Sequence, residues 1–161
     1  MKKTTVCAAA AVLAVGIGSA TARADSSPVA SVQADVQKLT ADAGTLHSTV
    51  LADAQKISSD VQALSGADRK TVATTLKADQ QKVQSDRAQL LPAVQADWQQ
   101  LKTDVQAARQ AKAGQGQLKP LLQQMNAALA QERDAVKTAL QSAHQAAQAL
   151  RQSLKGSKTN P

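Results

Sequence analysis

The residues best suited to metal or acid–base chemistry are two histidines, His47 and His144, within a chain of regularly spaced aspartates. Each histidine follows an apolar position of a predicted helix by one residue, so the two imidazoles could meet across a helical bundle and bind a metal ion beside an aspartate. Neither belongs to a His-x-x-x-His pair, the spacing that places two zinc ligands on one helix face. We therefore expect two partly exposed histidines and no metal site.

The patterns that accompany catalysis are also missing from the sequence. Carboxylates that act as acid and base need differently shielded environments, whereas these aspartates recur at regular intervals and Glu132 is the only glutamate. There is no Gly-x-Ser-x-Gly motif, and the two glycines Gly114 and Gly116 lack the spacing and the preceding strand of a phosphate-binding loop. We predict a protein that is not an enzyme, with no cofactor and no small-molecule substrate.

The first 24 residues have the three parts of a secretory signal peptide. Lys2 and Lys3 give a positive start, an apolar run covers about residues 6–20, and a small-x-small motif ends at Ala24. The run is shorter than the ~20 residues that span a bilayer, so we expect cleavage rather than a membrane anchor. Cys7 would leave with the signal peptide, so disulfides and thiolate ligands would be excluded from the mature chain. We expect that chain to be soluble, and periplasmic or secreted.

Composition and charge narrow the choice of partner. Trp98 is the only aromatic residue among Phe, Trp and Tyr, so bases cannot stack on aromatic side chains, and we expect no nucleic-acid binding. Residues 25–68 carry six acids and two bases, whereas residues 69–161 carry six acids and fourteen bases. This asymmetry indicates either attraction between the two parts or a basic surface that faces an acidic partner.

Apolar residues recur at alternating intervals of four and three, which predicts three long amphipathic helices, at about residues 28–65, 68–113 and 118–155. We therefore predict an all-α fold, an elongated antiparallel bundle with coiled-coil-like seams, followed by a disordered tail at 156–161. Pro92 lies inside the second helix, and a break there would give four helices. The first apolar stripe is Val32, Val36, Leu39, Ala43, Leu46, Val50, Ala54, Ile57, Val61 and Leu64.

Helix ends are marked by local signals. Ser27 is suited to cap the first helix and Pro28 to be its first residue. Gly66 fits the end of that helix, and Asp68 can cap the second. Pro120 suits the start of the third helix.

Residues 35–63 align with residues 79–107 at an offset of 44 without gaps, giving 13 identities in 29 positions. Gln80, Arg87 and Trp98 interrupt the second copy where the first has Val36, Ala43 and Ala54. Since four aspartates of one copy fall on four of the other, we interpret the match as an internal duplication. These eight aspartates, here called the acidic row, are Asp35, Asp42, Asp53 and Asp60 with Asp79, Asp86, Asp97 and Asp104.

A second row of charges lies on the third helix with the same 18-residue period, which is five helical turns. We call it the basic row; it consists of Lys119, Arg133, Lys137, Arg151 and Lys155. Both rows flank apolar stripes, as interhelical charge pairs do beside a bundle seam. We expect the first four aspartates to pair with the basic row inside the bundle; the alternatives are solvated charges or an outside acidic partner.

These features together predict an exported, non-catalytic helical interaction or structural protein of the cell envelope, which binds through helix seams and charged flanks. A protein partner or self-association would then be its mode of action. The alternative is an amphipathic helical protein that binds lipid or another anionic surface, for which the third helix, with its leucines and basic flank, is the better match.

Export makes a direct prediction. The mature protein should begin at Asp25, or at Arg23 if the upstream Ala-x-Ala motif is cleaved instead. N-terminal sequencing of the protein from envelope and culture fractions tests this. A chain that still begins at Met1 in those fractions would contradict cleavage.

Overall fold

The computed structural model describes residues 27–156, which form three helices and no strand. Helix α1 spans Pro28–Ala63, α2 spans Arg69–Gln110 and α3 spans Gln115–Gly156. The all-α prediction is therefore confirmed. The predicted signal peptide and residues 157–161 of the predicted tail lie outside the described residues, while Gly156, expected in the tail, ends α3.

The predicted helix ends match the local geometry. The Ser27 hydroxyl accepts a hydrogen bond from the backbone N–H of Ala30, and Pro28 is the first residue of α1. Gly66 has a φ of +90°, a conformation open to glycine, in the turn between α1 and α2. The Asp68 carboxylate caps α2 by accepting hydrogen bonds from the backbone N–H groups of Lys70, at 2.8 Å, and Thr71, at 3.0 Å.

Both internal prolines lie within continuous helices. Helix α2 continues through Pro92, so the bundle has three helices and not four. Helix α3 begins at Gln115, ahead of the predicted start, and Pro120 lies inside it. The first turn of α3 is held in the core by Leu118, which is buried, and the N–H groups of Gln117 and Leu118 bond back to the Gly114 carbonyl.

Helix α1 is the centre of the bundle, because it packs against both other helices while α2 and α3 barely touch. Helix α2 is antiparallel to α1, since Lys56 near the end of α1 reaches Asp79 near the start of α2. Helix α3 is parallel to α1. Val32 and Leu118, each near the start of its helix, share one apolar cluster.

The core has two apolar clusters, one in each half of the bundle. One half joins Val50, Ala54 and Ile57 to α2 and to two small residues of α3, Ala143 and Ala147. The other half is built on the buried residues Val32, Val36, Leu39, Leu101, Ala108, Leu118 and Met125. The predicted stripe of α1 is thus buried or half-buried along its whole length.

Gly114 controls how α3 returns onto α1. Its φ is +59°, and a Cβ atom placed on it would lie 2.3 Å from Cγ2 of Val29. This position therefore requires glycine for its backbone conformation and for the close approach of the α2–α3 loop to the first turn of α1.

We predict that Gly114→Ala lowers the melting temperature, because the added methyl group must displace Val29 and the backbone is strained at positive φ. The matched control is Gly116→Ala, where a Cβ atom meets nothing within 4 Å. Alanine favours the helical state there by roughly 0.5–1 kcal/mol, so this control should be neutral or stabilising. Thermal unfolding followed by circular dichroism measures both. Equal melting temperatures for the two variants would contradict a role for Gly114.

Candidate functional site

The acidic row lies in the seam between α1 and α2. Asp53, Asp79 and Asp97 are almost fully buried there, with 6–7% of each residue exposed. Buried carboxylates need a cation or hydrogen-bond donors close by, because burial penalises the charged form. Three lysines of the same two helices supply that cation: Lys38, Lys56 and Lys82.

Two of these ion pairs are related by the internal repeat. Lys38 of α1 binds Asp97 of α2, and Lys82 of α2 lies 3.5 Å from Asp53 of α1. The offset of 44 residues converts Lys38 into Lys82 and Asp53 into Asp97. The α1–α2 hairpin therefore has approximate two-fold symmetry, in which each helix gives the other one lysine and one buried aspartate.

The third ion pair departs from this symmetry. Lys56 binds Asp60 on its own helix and lies 3.3 Å from Asp79 of α2. The repeat places Gln100 at the equivalent position in α2, where its amide donates to Asp104 at 3.1 Å. The second copy thus keeps the hydrogen bond within the helix with a neutral donor.

The seam shifts the titration of its charged groups. Hydrogen bonds to aspartates raise the pKa of Lys38, Lys56 and Lys82. Burial raises the pKa of Asp79, and the hydrogen bond from Lys56 opposes that rise. One carboxylate oxygen of Asp79 is buried with no hydrogen bond from a described group. Such a pair adds little net stability but strongly disfavours any arrangement that leaves the carboxylate alone.

The expected pairing between the α1 aspartates and the basic row is wrong. Within residues 27–156, Asp42, Asp53 and Asp60 pair with Lys38, Lys82 and Lys56, and no ion pair joins any of the three to the basic row. The lysines of the repeat are closer because they lie on the same two helices and in register with the aspartates. Asp42, Asp60 and Asp86 each bind the lysine four residues before them, Asp104 accepts from Gln100, and Asp35 lies half-buried in the same seam.

The basic row instead lies along the flank of α3 that faces α2. Lys119 lines a groove between these helices, and Asn126 and His144, which share its helical flank, line it further along. At 100° per residue, the other members of the row, Arg133, Lys137, Arg151 and Lys155, project from that flank too. Arg133 also contacts Asp134, at 3.7 Å.

The groove between α2 and α3 has three wide parts. The first has a volume of about 720 Å³, with Ile57 of α1 at its floor and Leu76, Val83 and Leu140 on its apolar sides. The second, of about 410 Å³, is lined by Trp98, Leu101, Val105, Leu122 and Met125. The third, of about 660 Å³, lies at the Lys119 end of the groove. Glutamines and bases surround this apolar surface, and they include Gln80, Gln84, Arg87, Lys102, Gln106 and Arg109.

The α2 wall of the groove uses the positions at which the second repeat departs from the first. Gln80, Arg87 and Trp98 line it. The Lys102 ammonium lies 5.9 Å from the centre of the Trp98 ring, so a cation covers the aromatic face. Sequence comparison of the two copies shows these interruptions, but it does not show that they face one groove.

The same differences explain why α3 packs on α1. Ala43 and Ala54 are buried, and Ala54 shares a cluster with Ala143 of α3. The equivalent residues of α2 are Arg87 and Trp98, whose bulk and charge prevent an equally close approach. Helix α3 therefore covers the α1 side of the symmetric hairpin and leaves the equivalent side of α2 open.

The two histidines do not form a joint site. The His47 ring lies between α1 and α3, where Nδ1 contacts Glu132 Oε2 at 2.7 Å. His144 lies in the groove and contacts Gln148 on its own helix. Within residues 27–156, no group of three or more His, Cys, Asp or Glu side chains could hold a metal ion.

Comparison with protein-family models, with curated proteins and with solved structures found no match to this chain. Among the described helices, none is both long and apolar enough to cross a membrane.

We predict that Lys56→Gln, which copies the residue at the equivalent position of α2, lowers the melting temperature more at pH 7 than at pH 3. The raised pKa of Asp79 means that its contribution to stability is present below pH 3.8 and is lost as the pH rises through the folded-state value. The ion pair with Lys56 reduces this loss of stability. Removing Lys56 should therefore lower the melting temperature mainly at a pH where Asp79 is ionised.

The matched control is Lys77→Gln, an exposed lysine of α2 without an ion pair to a described residue. Its effect should be small at both pH values, as measured by thermal unfolding. An equal loss for Lys56→Gln at pH 3 and pH 7 would show that Lys56 does not act through Asp79.

Proposed function

We propose that this protein is an exported, non-catalytic interaction protein of the cell envelope that binds an acidic protein partner along the groove between α2 and α3. The observation that carries the proposal is the charge of the groove. Arg87, Lys102 and Arg109 line it from α2 and Lys119 from α3, and no described residue that lines it is Asp or Glu.

The separation of charge within the bundle supports this proposal. The buried aspartates of the acidic row form ion pairs with Lys38, Lys56 and Lys82 in the α1–α2 seam. The bases of the groove have no such internal partners among the described residues, apart from the contact of Arg133 with its neighbour. A row of uncompensated bases attracts an acidic partner and speeds its association at low ionic strength.

Binding, rather than catalysis, agrees with the side chains available. The groove offers amides, ammonium and guanidinium groups, one imidazole and apolar surface, but no carboxylate beside His144. General acid–base chemistry usually uses such a pair. Export is proposed from the charged start, the apolar run and the small-residue motif of the first 24 residues.

An anionic lipid surface is the second candidate. The basic row and Leu91, the one large apolar residue that is clearly exposed among those described, favour it. The apolar floor argues against it, because Val83, Leu101 and Met125 are at least 92% covered and a flat bilayer cannot reach them. A partner that inserts into the groove fits this surface better.

Site-specific photo-cross-linking in cells that export the protein tests the proposal. A photoreactive residue at Gln106, in the groove, should give protein adducts whose cross-linked segment is acidic. The control is the same residue at Gln37, exposed on α1. Lipid adducts from Gln106 would favour the second candidate, and equal adducts from both positions would contradict a role for the groove.

A further inference from the structure

We infer that the groove binds a single acidic amphipathic helix that completes a four-helix bundle and runs parallel to α2. This inference rests on the proposed function, and it adds the shape, the orientation and the length of the ligand. It rests on the approximate two-fold symmetry of the α1–α2 hairpin. This symmetry gives two equivalent positions for a packed helix, and α3 occupies only one of them.

The symmetry defines the position of the missing element. The two-fold rotation maps the Lys38–Asp97 ion pair onto the Lys82–Asp53 ion pair, so it exchanges α1 with α2. Helix α3 lies against α1 and parallel to it. The same operation places a helix against α2 and parallel to it, beside α3 and antiparallel to it. That position is the groove.

The surface of the groove is suited to a helix with an apolar stripe. Its floor consists of residues that are already largely covered, such as Leu76, Val83 and Leu101, so only a narrow apolar ridge can reach them. At one end of the groove bases stand on both sides, Arg109 on α2 and Lys119 on α3. An amphipathic helix with Asp or Glu on both flanks of its stripe matches this arrangement.

The groove also defines a minimum length. The parts of about 720 and 410 Å³ are centred near Val83 and Leu101 of α2, which are 18 residues apart. The α2 residues that line them run from Leu76 to Arg109, which corresponds to ~50 Å along a helix. A ligand that fills both parts therefore needs about 34 helical residues, with apolar side chains in two groups about five turns apart.

Charge excludes the nearest alternatives. A second copy does not offer such a helix, because the apolar stripe of its acidic helix α1 is already buried or half-buried, and α3 and the outer face of α2 carry bases of the same groove. The terminal segments of the mature chain outside residues 27–156 carry one acid, Asp25, and one base, Lys158, so they supply no acidic stripe for the groove. Like charges placed together oppose binding.

The experiment uses the mature protein and synthetic helical peptides of about 36 residues, slightly longer than the stretch of α2 from Leu76 to Arg109 that lines the groove. One peptide has a leucine stripe with Glu flanks, one has the same stripe with Lys flanks, and one has the acidic composition in scrambled order. Vesicles of phosphatidylglycerol are the lipid probe. Trp98, the only tryptophan of the chain, lines the groove and reports occupancy by its fluorescence.

Only the Glu-flanked stripe peptide should bind tightly and shift the Trp98 emission to the blue. A quencher on the C-terminus of that peptide should reduce the Trp98 emission more than one on its N-terminus, because Trp98 lies in the C-terminal half of α2. The reverse order would overturn the predicted orientation.

The matched variants separate charge in the groove from net charge. Arg87→Gln with Lys102→Gln and Lys119→Gln should weaken binding about tenfold, measured by anisotropy of a labelled peptide. Gln37→Glu with Gln55→Glu and Gln62→Glu, on the exposed face of α1, changes the net charge by the same amount and should leave the affinity within about twofold. If the triple groove variant loses helicity, Arg87→Gln alone is used, with the same direction expected.

The outcomes distinguish this inference from the proposed function. Equal binding of the scrambled acidic peptide would contradict the inference that the ligand is an amphipathic helix, but it would remain consistent with an acidic protein partner. Binding of vesicles without binding of any peptide would overturn both. Concentration-dependent dimerisation that itself shifts the Trp98 emission would show that a second copy occupies the groove, and it would overturn the acidic helix.

Discussion

Buried carboxylates between α1 and α2 constrain the whole arrangement. Asp53, Asp79 and Asp97 are almost removed from water, so each must meet a lysine of the opposite helix. A shift of α2 along α1 would leave buried charges without partners, and a rotation would bring the lysines into the apolar core. The ion pairs therefore determine register more than they add stability, and the apolar clusters provide the burial that holds the hairpin together.

A symmetric hairpin offers two equivalent places for a third helix, and small differences decide between them. Ala43 and Ala54 permit close packing on α1, whereas Arg87 and Trp98 occupy the same positions on α2. The loop supports this choice, because Gly114 allows the chain to pass against Val29 at the start of α1. The open groove thus follows from the residues at which the two aligned segments differ.

The uneven charge of the chain has a structural explanation. Lys38, Lys56 and Lys82 pair with the buried members of the acidic row, so the other bases after residue 68 remain available on the outer flank of α2 and on α3. These two flanks form opposite walls of one groove. The excess of bases is spread along the sequence after residue 68. It becomes a local basic surface only because α3 packs beside the open side of α2.

The sequence by itself determined the three helices and the capping by Ser27 and Asp68, because helical periodicity and capping are local patterns. It also contains the alignment without gaps of residues 35–63 with residues 79–107. It also determined that the basic row shares one helical flank. Only the tertiary structure decided that Lys38, Lys56 and Lys82 pair with the acidic row, and that Lys119 of the basic row lines a groove. The physical reason is that several helix orders satisfy the same apolar stripes. The choice among them depends on side-chain volume at Ala54 and Trp98 and on the register of buried charges, neither of which periodicity records.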